Sequence, residues 1–353
     1  MVIDGMPWFH TPMYRHLELL SVGFIVFCEI ALGPICTFVI FLLIYIGNFY
    51  IKVICLSYLA FIYYDRQTGN QGGRGVGFSL IRNMGVWKYC LDYFPIDLVK
   101  TVDLPPDRNY LFCVFPHGWL SLGAGANFSS NHSKWSTLFP GIRPKCTTLG
   151  FTMLMPVQRE ILLSCGFSSA SASSLQALLK QSNDPNHESN HDGYTSNGVG
   201  LIVGGAREAF YTNPNAYKCY LKRRKGFVKI ALQTGGSLVP AISYGENNMY
   251  EIVDYKPGSW MRVFQDTFKR YTNVTPIHYN GRGYLQCKFG LLPRKHPITT
   301  VIGAPIHLKK IQNPSETEVN ETHALFCRRL TELFEKHKSK YVENFRDVHL
   351  EII

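Results

Sequence analysis

Two patterns of hydrophobic residues divide the chain near residue 65. Apolar residues are almost continuous over residues 19–64, where Glu29 and Lys52 are the only formally charged side chains. After this stretch, short apolar runs alternate with longer mixed segments. A continuous run of this length is typical of a membrane segment, whereas alternating short runs are typical of a folded domain. The pattern predicts an N-terminal anchor followed by a globular body.

The apolar run is too long to cross a membrane once as a straight helix. It would measure about 70 Å, against a hydrocarbon core of about 30 Å. Gly33-Pro34 and Gly47-Asn48 are the candidate breaks. Basic residues flank both ends, so the positive-inside rule places both ends in the cytosol. We therefore predict a hairpin, either a double span or a re-entrant wedge; a pair of helices buried in a soluble core is the alternative.

The pattern after the anchor predicts an α/β layer fold. Strands are expected at Tyr110–Phe115, 201–203, Ser237–Tyr244 and Ile298–Ile302, and helices at 175–179, at 227–233 and after the capping box Ser315-x-x-Glu318. Strands separated by helices place active groups on loops at strand ends. The predicted organisation is a cytosolic N-terminal segment at 1–18, a membrane hairpin at 19–64, a glycine-rich linker at 65–84 and a cytosolic domain at 85–353.

Composition and charge narrow the classes of function. Hydrophobic residues make up 46% and charged residues 17%, which excludes a disordered or fibrous chain. The net charge of +11 lies in the part after the anchor and suits contact with phosphates or an anionic membrane surface. Nucleic acid is a third polyanion, but the anchor argues against it. Ten cysteines without a C-x-x-C pair indicate a reducing compartment rather than a disulfide framework.

His117 is the first candidate for chemistry. It follows the predicted strand Tyr110–Phe115 directly, between Pro116, which stops the strand, and Gly118, which permits a close approach by substrate. A histidine presented at a strand end in a confined setting can act as a general base. A structural loop histidine is the alternative.

Two further clusters extend the candidate site. Gly204 and Gly205, after the apolar run at 201–203, can turn backbone N–H groups toward an oxyanion, while Glu208 can orient a neighbouring base. A basic run at 222–225 precedes Gly226, at the expected start of a helix. Cations at this end oppose the helix dipole, so a bound polyanion explains them better than helix stability does. The alternative for the glycine pair and Glu208 is a plain turn, and the alternative for the basic run is a set of charges that face solvent.

Two patterns point away from other enzyme classes. Residues 187–191 match the zinc-protease pattern H-E-x-x-H, but Asn, Asp, Pro and Gly surround them, which is typical of a loop. No G-x-S-x-G sequence is present, so the chain lacks the signal of a serine lipase of the α/β-hydrolase type. We expect neither a metal site nor a cofactor.

Taken together, the blocks of the body resemble the type-2 diacylglycerol O-acyltransferase family, which includes monoacylglycerol and wax-alcohol acyltransferases. The blocks are, in order, DYFP at 92–95, PHG at 116–118, NF at 127–128, FPGIRP at 139–144, MPVQRE at 155–160, VGGARE at 203–208, RKGFVK at 224–229, LVP at 238–240, YGEN at 244–247 and PITTVIG at 297–303. They cover roughly residues 85–340, and the anchor occupies the place of the family's hydrophobic hairpin.

The resemblance implies transfer of a fatty acyl group from acyl-CoA to diacylglycerol at the endoplasmic reticulum, with a glycerolipid-acyltransferase-like layered α/β domain facing the cytosol. His117 would be the base and Glu208 its orienting or charge-stabilising partner. Substrate contacts would come from Pro116, Gly118, Asn127, Arg143, Arg159, Gly204, Gly205, Arg223, Arg224, Lys225 and Gly226. Acyl-CoA is then a substrate and membrane lipids are partners. The product would enter the bilayer or a lipid droplet. A homo-oligomer is compatible with the resemblance but is not implied by it.

Two departures from the family pattern limit the resemblance. Phe115 stands where the family's commonest block, His-Pro-His-Gly, has its first histidine. Leu122 stands five positions after His117, where related glycerolipid acyltransferases place an aspartate. The alternatives are therefore a monoacylglycerol or wax-alcohol acyltransferase of the same family, and a non-catalytic membrane protein of lipid droplets.

Overall fold

A seven-stranded mixed sheet organises the body of the chain. The computed structural model describes residues 13–75, 77–190, 193–253, 255–256, 258–272, 278–285 and 290–353. The strands are β1 Ile96–Lys100, β2 Tyr110–Phe115, β3 Ile142–Thr148, β4 Phe167–Ser169, β5 Ser196–Leu201, β6 Tyr217–Cys219, β7 Ser237–Tyr244, β8 Glu251–Ile252, β9 Tyr279–Asn280, β10 Ile298–Ile302 and β11 Leu350–Ile352. The main sheet has the order β1-β10-β7-β2-β5-β3-β4.

Helices flank the sheet on both faces. They are α1 Met13–Ile30, α2 Leu32–Ile46, α3 Phe49–Tyr64, α4 Ser79–Arg82, α5 Gly85–Tyr93, α6 Leu122–Ser129, α7 Trp135–Leu138, α8 Gln158–Ser164, α9 Ala172–Leu179, α10 Gly226–Thr234, α11 Trp260–Thr272 and α12 Glu316–Tyr341. Short 3-10 helices occupy Asp65–Gln71, Gly150–Leu154, Gly205–Tyr211 and Glu246–Asn248. The expected α/β fold is confirmed.

Strand β2 is buried on both faces, which explains its unbroken apolar sequence. Leu111, Cys113 and Phe115 belong to the core formed with α9, α10 and α12. Phe112 and Val114 belong to the core formed with α6, α7 and α8. A strand covered on both faces reads as a continuous hydrophobic run rather than an alternating one. The predicted bounds of β2, β7 and β10 are accordingly confirmed.

Most of the sheet is parallel, so most strands end at one edge. Strands β4, β3, β5, β2 and β7 pair in parallel, with Tyr110 opposite both Gly198 and Ser237. Strand β10 runs antiparallel to β7, and β1 runs parallel to β10. In open α/β sheets the crevice beyond the carboxyl ends of parallel strands is the usual place for a ligand.

The three N-terminal helices divide the apolar run at two places. Helices α1 and α2 meet at a bend of 60° around Ala31, two residues before the expected break at Gly33-Pro34. Pro34 instead lies in the first turn of α2, where a proline costs no helical hydrogen bond. The second break is at Gly47-Asn48, as predicted, and the Asn48 side chain accepts the Ile51 N–H.

The N-terminal helices differ in how much of their apolar surface the domain covers. Helix α1 packs Val22, Ile25 and Val26 against α5. By contrast, large side chains on α2 and α3 are exposed, among them Phe38 at 67% and Ile54 at 67%. Taken singly, none of the described helices is both long and apolar enough to cross a bilayer; across their bend, α1 and α2 together satisfy those criteria of length and composition.

The segment expected to be a linker is partly folded onto the domain. It contains the 3-10 helix Asp65–Gln71 and helix α4. Arg82, at the end of α4, is 3% exposed and donates hydrogen bonds to the side chain of Asn131 and to the carbonyl oxygens of Cys165 and Phe128. These bonds fix the path of the chain between the N-terminal helices and the sheet.

Candidate active site

Three chain segments converge beyond the carboxyl edge of the sheet. His117 lies two residues after β2, Gly204 and Gly205 lie just after β5, and Glu246 lies two residues after β7. These strands are adjacent and parallel, so the residues that follow them are brought together. The candidate residues therefore lie on loops at strand ends, as the sequence predicted.

The ring of His117 is held in one orientation by a backbone carbonyl. Its Nε2 atom lies 2.8 Å from the carbonyl oxygen of Gly205. A carbonyl oxygen can only accept, so Nε2 carries the proton and Nδ1 holds the free electron pair in the neutral ring. Within the described part of the chain, Nδ1 has no hydrogen-bond partner. The ring is 5% exposed and therefore presents a basic nitrogen inside a confined space.

Glu208 contacts His117 through the backbone rather than through the ring. One carboxylate oxygen accepts the His117 backbone N–H at 2.9 Å, and the other accepts the Tyr220 N–H at 2.9 Å. The distance from Glu208 Oε1 to His117 Nε2 is 4.0 Å, too long for a hydrogen bond but close enough for the carboxylate to attract the ring when the ring is protonated. Burial raises the pKa of Glu208, while the nearby histidine and the two N–H donors act in the opposite direction.

The glycine turn is shaped by Glu208. A Cβ atom at Gly204 would lie 2.2 Å from Glu208 Oε2, so no larger residue fits without displacing the carboxylate. Gly205 has a φ of +58°, in the left-handed region that favours glycine. This conformation directs the Gly205 carbonyl toward His117.

Glu246 is a second buried carboxyl beside the same loop, and the sequence assigned it no role. Its Oε2 atom accepts the Gly123 N–H at 3.1 Å and the Ser243 hydroxyl at 3.1 Å. Burial raises its pKa to about 7. A Cβ atom at Gly118, which has a φ of +62°, would lie 2.9 Å from Glu246 Cγ. Glu246 therefore packs directly under the loop that carries His117, and a glycine-glutamate pair after a predicted strand was the signal that could have found it.

An elongated apolar space leads away from His117. The first cavity, of about 270 Å³, is lined by His117, Ser121, the end of β3 and residues of α1, α5 and α6. A second cavity, of about 330 Å³, lies between the α1-α2 bend, α5 and α8. Both are lined by Ile25, Glu29, Trp87 and Phe167. The two cavities therefore adjoin and connect the histidine with the bend between the N-terminal helices.

The basic cluster adjoins the glycine turn on the outside of the site. Arg224 donates to the Gly204 carbonyl oxygen at 3.3 Å and its guanidinium lies 5.3 Å from the centre of the Tyr220 ring. Lys225 donates to the Asn320 side chain at 2.7 Å, and Arg223 is exposed. Gly226, also exposed, begins α10, and a Cβ atom there would meet nothing. The structure brings this cluster next to the site.

Three of the expected substrate-binding residues lie elsewhere. Arg143 is near the start of β3, at the opposite edge of the sheet, and donates to Asn197 and to the Ser189 carbonyl oxygen. Asn127 is buried in α6 and donates to Thr300 on β10. Neither is part of the wall around His117.

Arg159 belongs to the block at 155–160, which holds the N-terminal helices to the domain. It is 1% exposed, pairs with Asp65 just after α3 at 2.6 Å and also contacts Glu160. The preceding residue, Gln158, donates to the carbonyl oxygens of Cys28 and Glu29 at the end of α1. The block thus fixes both the α1-α2 bend and the end of α3.

Phe115 and Leu122, the two departures from the family pattern, lie in different parts of the domain. Phe115 is fully buried and its ring centre lies 6.3 Å from that of Phe326, in the core away from His117. Leu122 lines the first cavity and begins α6. Pro116 is buried between β2 and His117. The phenylalanine therefore alters the core and leaves the histidine ring unobstructed.

The zinc-protease pattern does not form a helix. Residues 185–189 are turns and bends, and His187 Nδ1 contacts the Ser189 hydroxyl at 2.8 Å. His191, the second histidine of the pattern, lies outside the described residues. In the ranges that the structure covers, no three His, Cys, Asp or Glu side chains are grouped as metal ligands, and the nine cysteines are free thiols.

Comparison with known proteins gives concordant matches. A sequence model of the family described as "Diacylglycerol acyltransferase" matches residues 42–352. Human 2-acylglycerol O-acyltransferase 3 is 38% identical over 93% of this chain and 92% of its own length. Diacylglycerol O-acyltransferase 2 of Xenopus tropicalis is 38% identical over 96% of this chain and 90% of its own. Diacylglycerol O-acyltransferase 2 of Dictyostelium discoideum is 36% identical over 96% of this chain and 96% of its own length.

Among solved structures, the chain is similar to PlsC from Thermotoga maritima, a 1-acyl-sn-glycerophosphate acyltransferase. The similarity has a TM-score of 0.41 and 12% identity, and it covers 94% of this chain and 100% of the other.

Proposed function

Because the chain belongs to the diacylglycerol acyltransferase family, we propose that it transfers a fatty acyl group from acyl-CoA to the free hydroxyl of diacylglycerol, giving triacylglycerol. The family membership makes the chain an O-acyltransferase. The observation that carries the finer proposal is the unengaged Nδ1 atom of His117, a residue that lines an apolar cavity of about 270 Å³. A lipid hydroxyl beside this nitrogen can be deprotonated as it reacts.

The proposed reaction is direct transfer without an acyl-enzyme. His117 Nδ1 takes the hydroxyl proton while the oxygen attacks the thioester carbonyl carbon. The tetrahedral intermediate then collapses, the bond between carbon and sulfur breaks, and the protonated histidine returns its proton to the departing CoA thiolate. Glu208, 4.0 Å from the ring, stabilises the imidazolium form and holds the backbone of His117 in place.

Two groups of residues complete the proposed site. Gly204 precedes and Gly205 begins a 3-10 helix whose first N–H groups have no partner within that helix, and these can stabilise the oxyanion. Arg223, Arg224 and Lys225, just outside the glycine turn, are assigned to the CoA phosphates. The apolar space that leads toward the α1-α2 bend suits the hydrocarbon chains of the lipid substrates.

The membrane arrangement is part of the same proposal. The exposed apolar side chains of α2 and α3 suit a hairpin in the endoplasmic reticulum membrane, with the domain in the cytosol and the product released into the bilayer or a lipid droplet. Protease protection of N-terminal and C-terminal tags in sealed microsomes tests this. Both tags should be digested; protection of one tag alone would contradict cytosolic ends.

A monoacylglycerol acceptor is the second candidate. Relatives named for 2-acylglycerol and for diacylglycerol acyltransferases are equally similar to this chain, at 38% identity. Acceptor choice depends on pocket shape, and a single extra hydroxyl changes selectivity only modestly in an apolar pocket. The third alternative, a non-catalytic droplet protein, is weakened by the place of Phe115, which lies in the core and leaves His117 unobstructed.

The experiment is a microsomal assay with labelled oleoyl-CoA and, in parallel, diacylglycerol, monoacylglycerol and a long-chain alcohol. His117→Ala is the test variant, and His132→Ala, at an exposed histidine bound to the Asn83 carbonyl, is its matched control. We expect triacylglycerol from the unmodified chain and a loss of about 10²- to 10⁴-fold in His117→Ala. If an ester of another acceptor dominates, that acceptor takes the place of diacylglycerol in the proposal. Unchanged turnover in His117→Ala would exclude the proposed base. If no ester forms from any acceptor, the non-catalytic alternative is favoured.

A further inference from the structure

We propose that Glu29, at the end of α1, binds a hydroxyl group of the acylglycerol acceptor on its route to His117. This inference rests on the proposed function and adds a residue of the acceptor site to it. Glu29 is the only acidic residue of the apolar segment at 19–64. A carboxyl group in such a segment calls for a partner that brings hydrogen-bond donors.

The position of Glu29 is the first argument. It is one of four residues that line both cavities, so it lies where the cavity around His117 adjoins the one near the α1-α2 bend. The other three, Ile25, Trp87 and Phe167, are apolar. Glu29 is exposed, whereas Ile25, one turn earlier in α1, is buried. Its carboxyl group is therefore accessible at a junction with otherwise apolar walls.

The rigidity of the helix end is the second argument. Gln158 is 3% exposed and its Nε2 atom donates to the carbonyl oxygens of Cys28 and Glu29, each at 3.1 Å. Gly33, on the other side of the bend, allows this approach, because a Cβ atom there would lie 2.1 Å from Gln158 Oε1. The backbone that carries Glu29 is thus held against the domain, and its carboxyl group keeps its place beside the cavities.

The chemistry of the ligands is the third argument. Within the described residues, Glu29 has no ion pair or side-chain hydrogen bond, so its oxygens are free to accept. An acyl chain and a thioester carbonyl bring no hydrogen-bond donor. Diacylglycerol and monoacylglycerol bring free hydroxyl groups. The carboxyl group therefore recognises the acceptor rather than the acyl donor.

Steady-state kinetics with separate variation of the two substrates tests this assignment. The variants are Glu29→Leu, which removes the acceptor oxygens, and Glu29→Gln, which keeps one of them. Phe27→Leu is the control, at an exposed position of α1 that lies on neither cavity. Diacylglycerol is presented in mixed micelles as a mole fraction, and oleoyl-CoA is varied at saturating acceptor.

We expect Glu29→Leu to raise the KM for diacylglycerol about tenfold, as loss of one hydrogen bond would, with the KM for oleoyl-CoA within twofold of the unmodified value. Glu29→Gln should show a smaller rise and Phe27→Leu none. An unchanged acceptor KM in Glu29→Leu, or an equal rise in both KM values, would overturn the assignment. If Glu29→Leu fails to accumulate in membranes, the acceptor KM of Glu29→Gln decides alone, and an unchanged value counts against the assignment. Absence of ester from the unmodified chain would instead refute the proposed function, so the two failures are distinguishable.

Discussion

The Nε2 atom of His117 lies 2.8 Å from the carbonyl oxygen of Gly205. This contact joins the two segments that follow β2 and β5, and it fixes which ring nitrogen carries the proton. In the proposed mechanism the reactive nitrogen is then Nδ1, on the side of the ring away from the glycine turn. Orientation of the His117 ring therefore depends on a backbone carbonyl, while the carboxylate of Glu208 holds the loop.

Glu208→Gln should reduce both activity and stability. Each oxygen of Glu208 accepts one backbone N–H, from His117 and from Tyr220. A glutamine has only one acceptor oxygen, so one buried N–H would face an NH₂ group and lose its bond, at a cost of about 1–3 kcal/mol. We expect a lower melting temperature of the detergent-solubilised protein and at least a tenfold lower kcat.

The matched control for this variant is Glu332→Gln on the surface of α12, where Glu332 pairs with Arg329. This control variant should change neither the melting temperature nor kcat. An unchanged melting temperature in Glu208→Gln, together with reduced kcat, would mean that Glu208 acts on the ring through charge alone.

Gly204→Ala should inactivate the enzyme through a steric effect. The added Cβ atom would meet Glu208 Oε2 at 2.2 Å, so either the carboxylate or the turn must move. Movement of the turn would displace the Gly205 carbonyl from His117. We expect more than a tenfold loss of acyltransferase activity in microsomes at equal protein. Gly85→Ala is the control, because a Cβ atom there would be 3.7 Å from its nearest neighbour, Tyr89; equal activity in both variants would show that the turn tolerates the change.

The basic cluster should affect the acyl donor and leave the acceptor unaffected. Arg223→Ala and Arg224→Ala each remove an exposed cation beside the glycine turn. We expect the KM for oleoyl-CoA to rise about tenfold in the double variant, with the KM for diacylglycerol unchanged. Because the site is exposed, added salt should raise the oleoyl-CoA KM of the unmodified enzyme. Arg329→Ala, on the surface of α12, is the control; a rise in both KM values would contradict a phosphate site.

The hydrophobic pattern predicted strands that consist of apolar side chains, but it missed most of a strand in which glycines make room for neighbouring rings. Strand β7 was found in full because its residues are all buried. Strand β5 was recognised only at its end, since Gly198 and Gly200 interrupt the apolar pattern. In the structure these glycines make room for aromatic rings: a Cβ atom would lie 2.7 Å from the Trp135 ring at Gly198 and 3.1 Å from the Phe128 ring at Gly200. Such packing depends on partners distant in sequence.

The sequence pointed to most residues of the candidate site, but it could not predict which atoms of these residues contact one another. Polar residues and glycines directly after strands indicated His117 and Gly204, because parallel strands end at one edge. The bond from Glu208 to a backbone N–H, rather than to the ring, depends on the path of the 3-10 helix Gly205–Tyr211. Glu246 was missed, although a glycine-glutamate pair follows a predicted strand, because its contacts with the Gly123 N–H and the Ser243 hydroxyl depend on the fold.

Arg159→Met should destabilise the protein without a selective effect on either substrate. The guanidinium is 1% exposed and pairs with Asp65, which also pairs with Arg74 at 2.7 Å. Without Arg159, Arg74 alone would face the carboxylates of Asp65 and Glu160, and the hydrogen bonds from Arg159 to the Met153 and Asp65 carbonyl oxygens would be lost, which is destabilising. We expect lower accumulation and a lower melting temperature, with KM values within twofold for the fraction that folds. A selective rise in one KM would instead support the substrate contact that the family resemblance implied for Arg159.

Glu246 should make stability depend on pH between about 4.5 and 7. Burial raises its pKa from 4.5 to about 7 in the folded protein, so over this interval the folded state binds more protons than the unfolded state. Stability is then highest below the unfolded pKa and falls as pH rises through the folded one, by up to about 3 kcal/mol at 1.36 kcal/mol per pKa unit. Glu246→Gln, which retains an oxygen for the Gly123 N–H, should remove this contribution. The check is the melting temperature of both proteins from pH 5 to 8: the advantage of Glu246→Gln should grow with pH, and parallel curves would mean that the carboxyl group titrates as an ordinary glutamate.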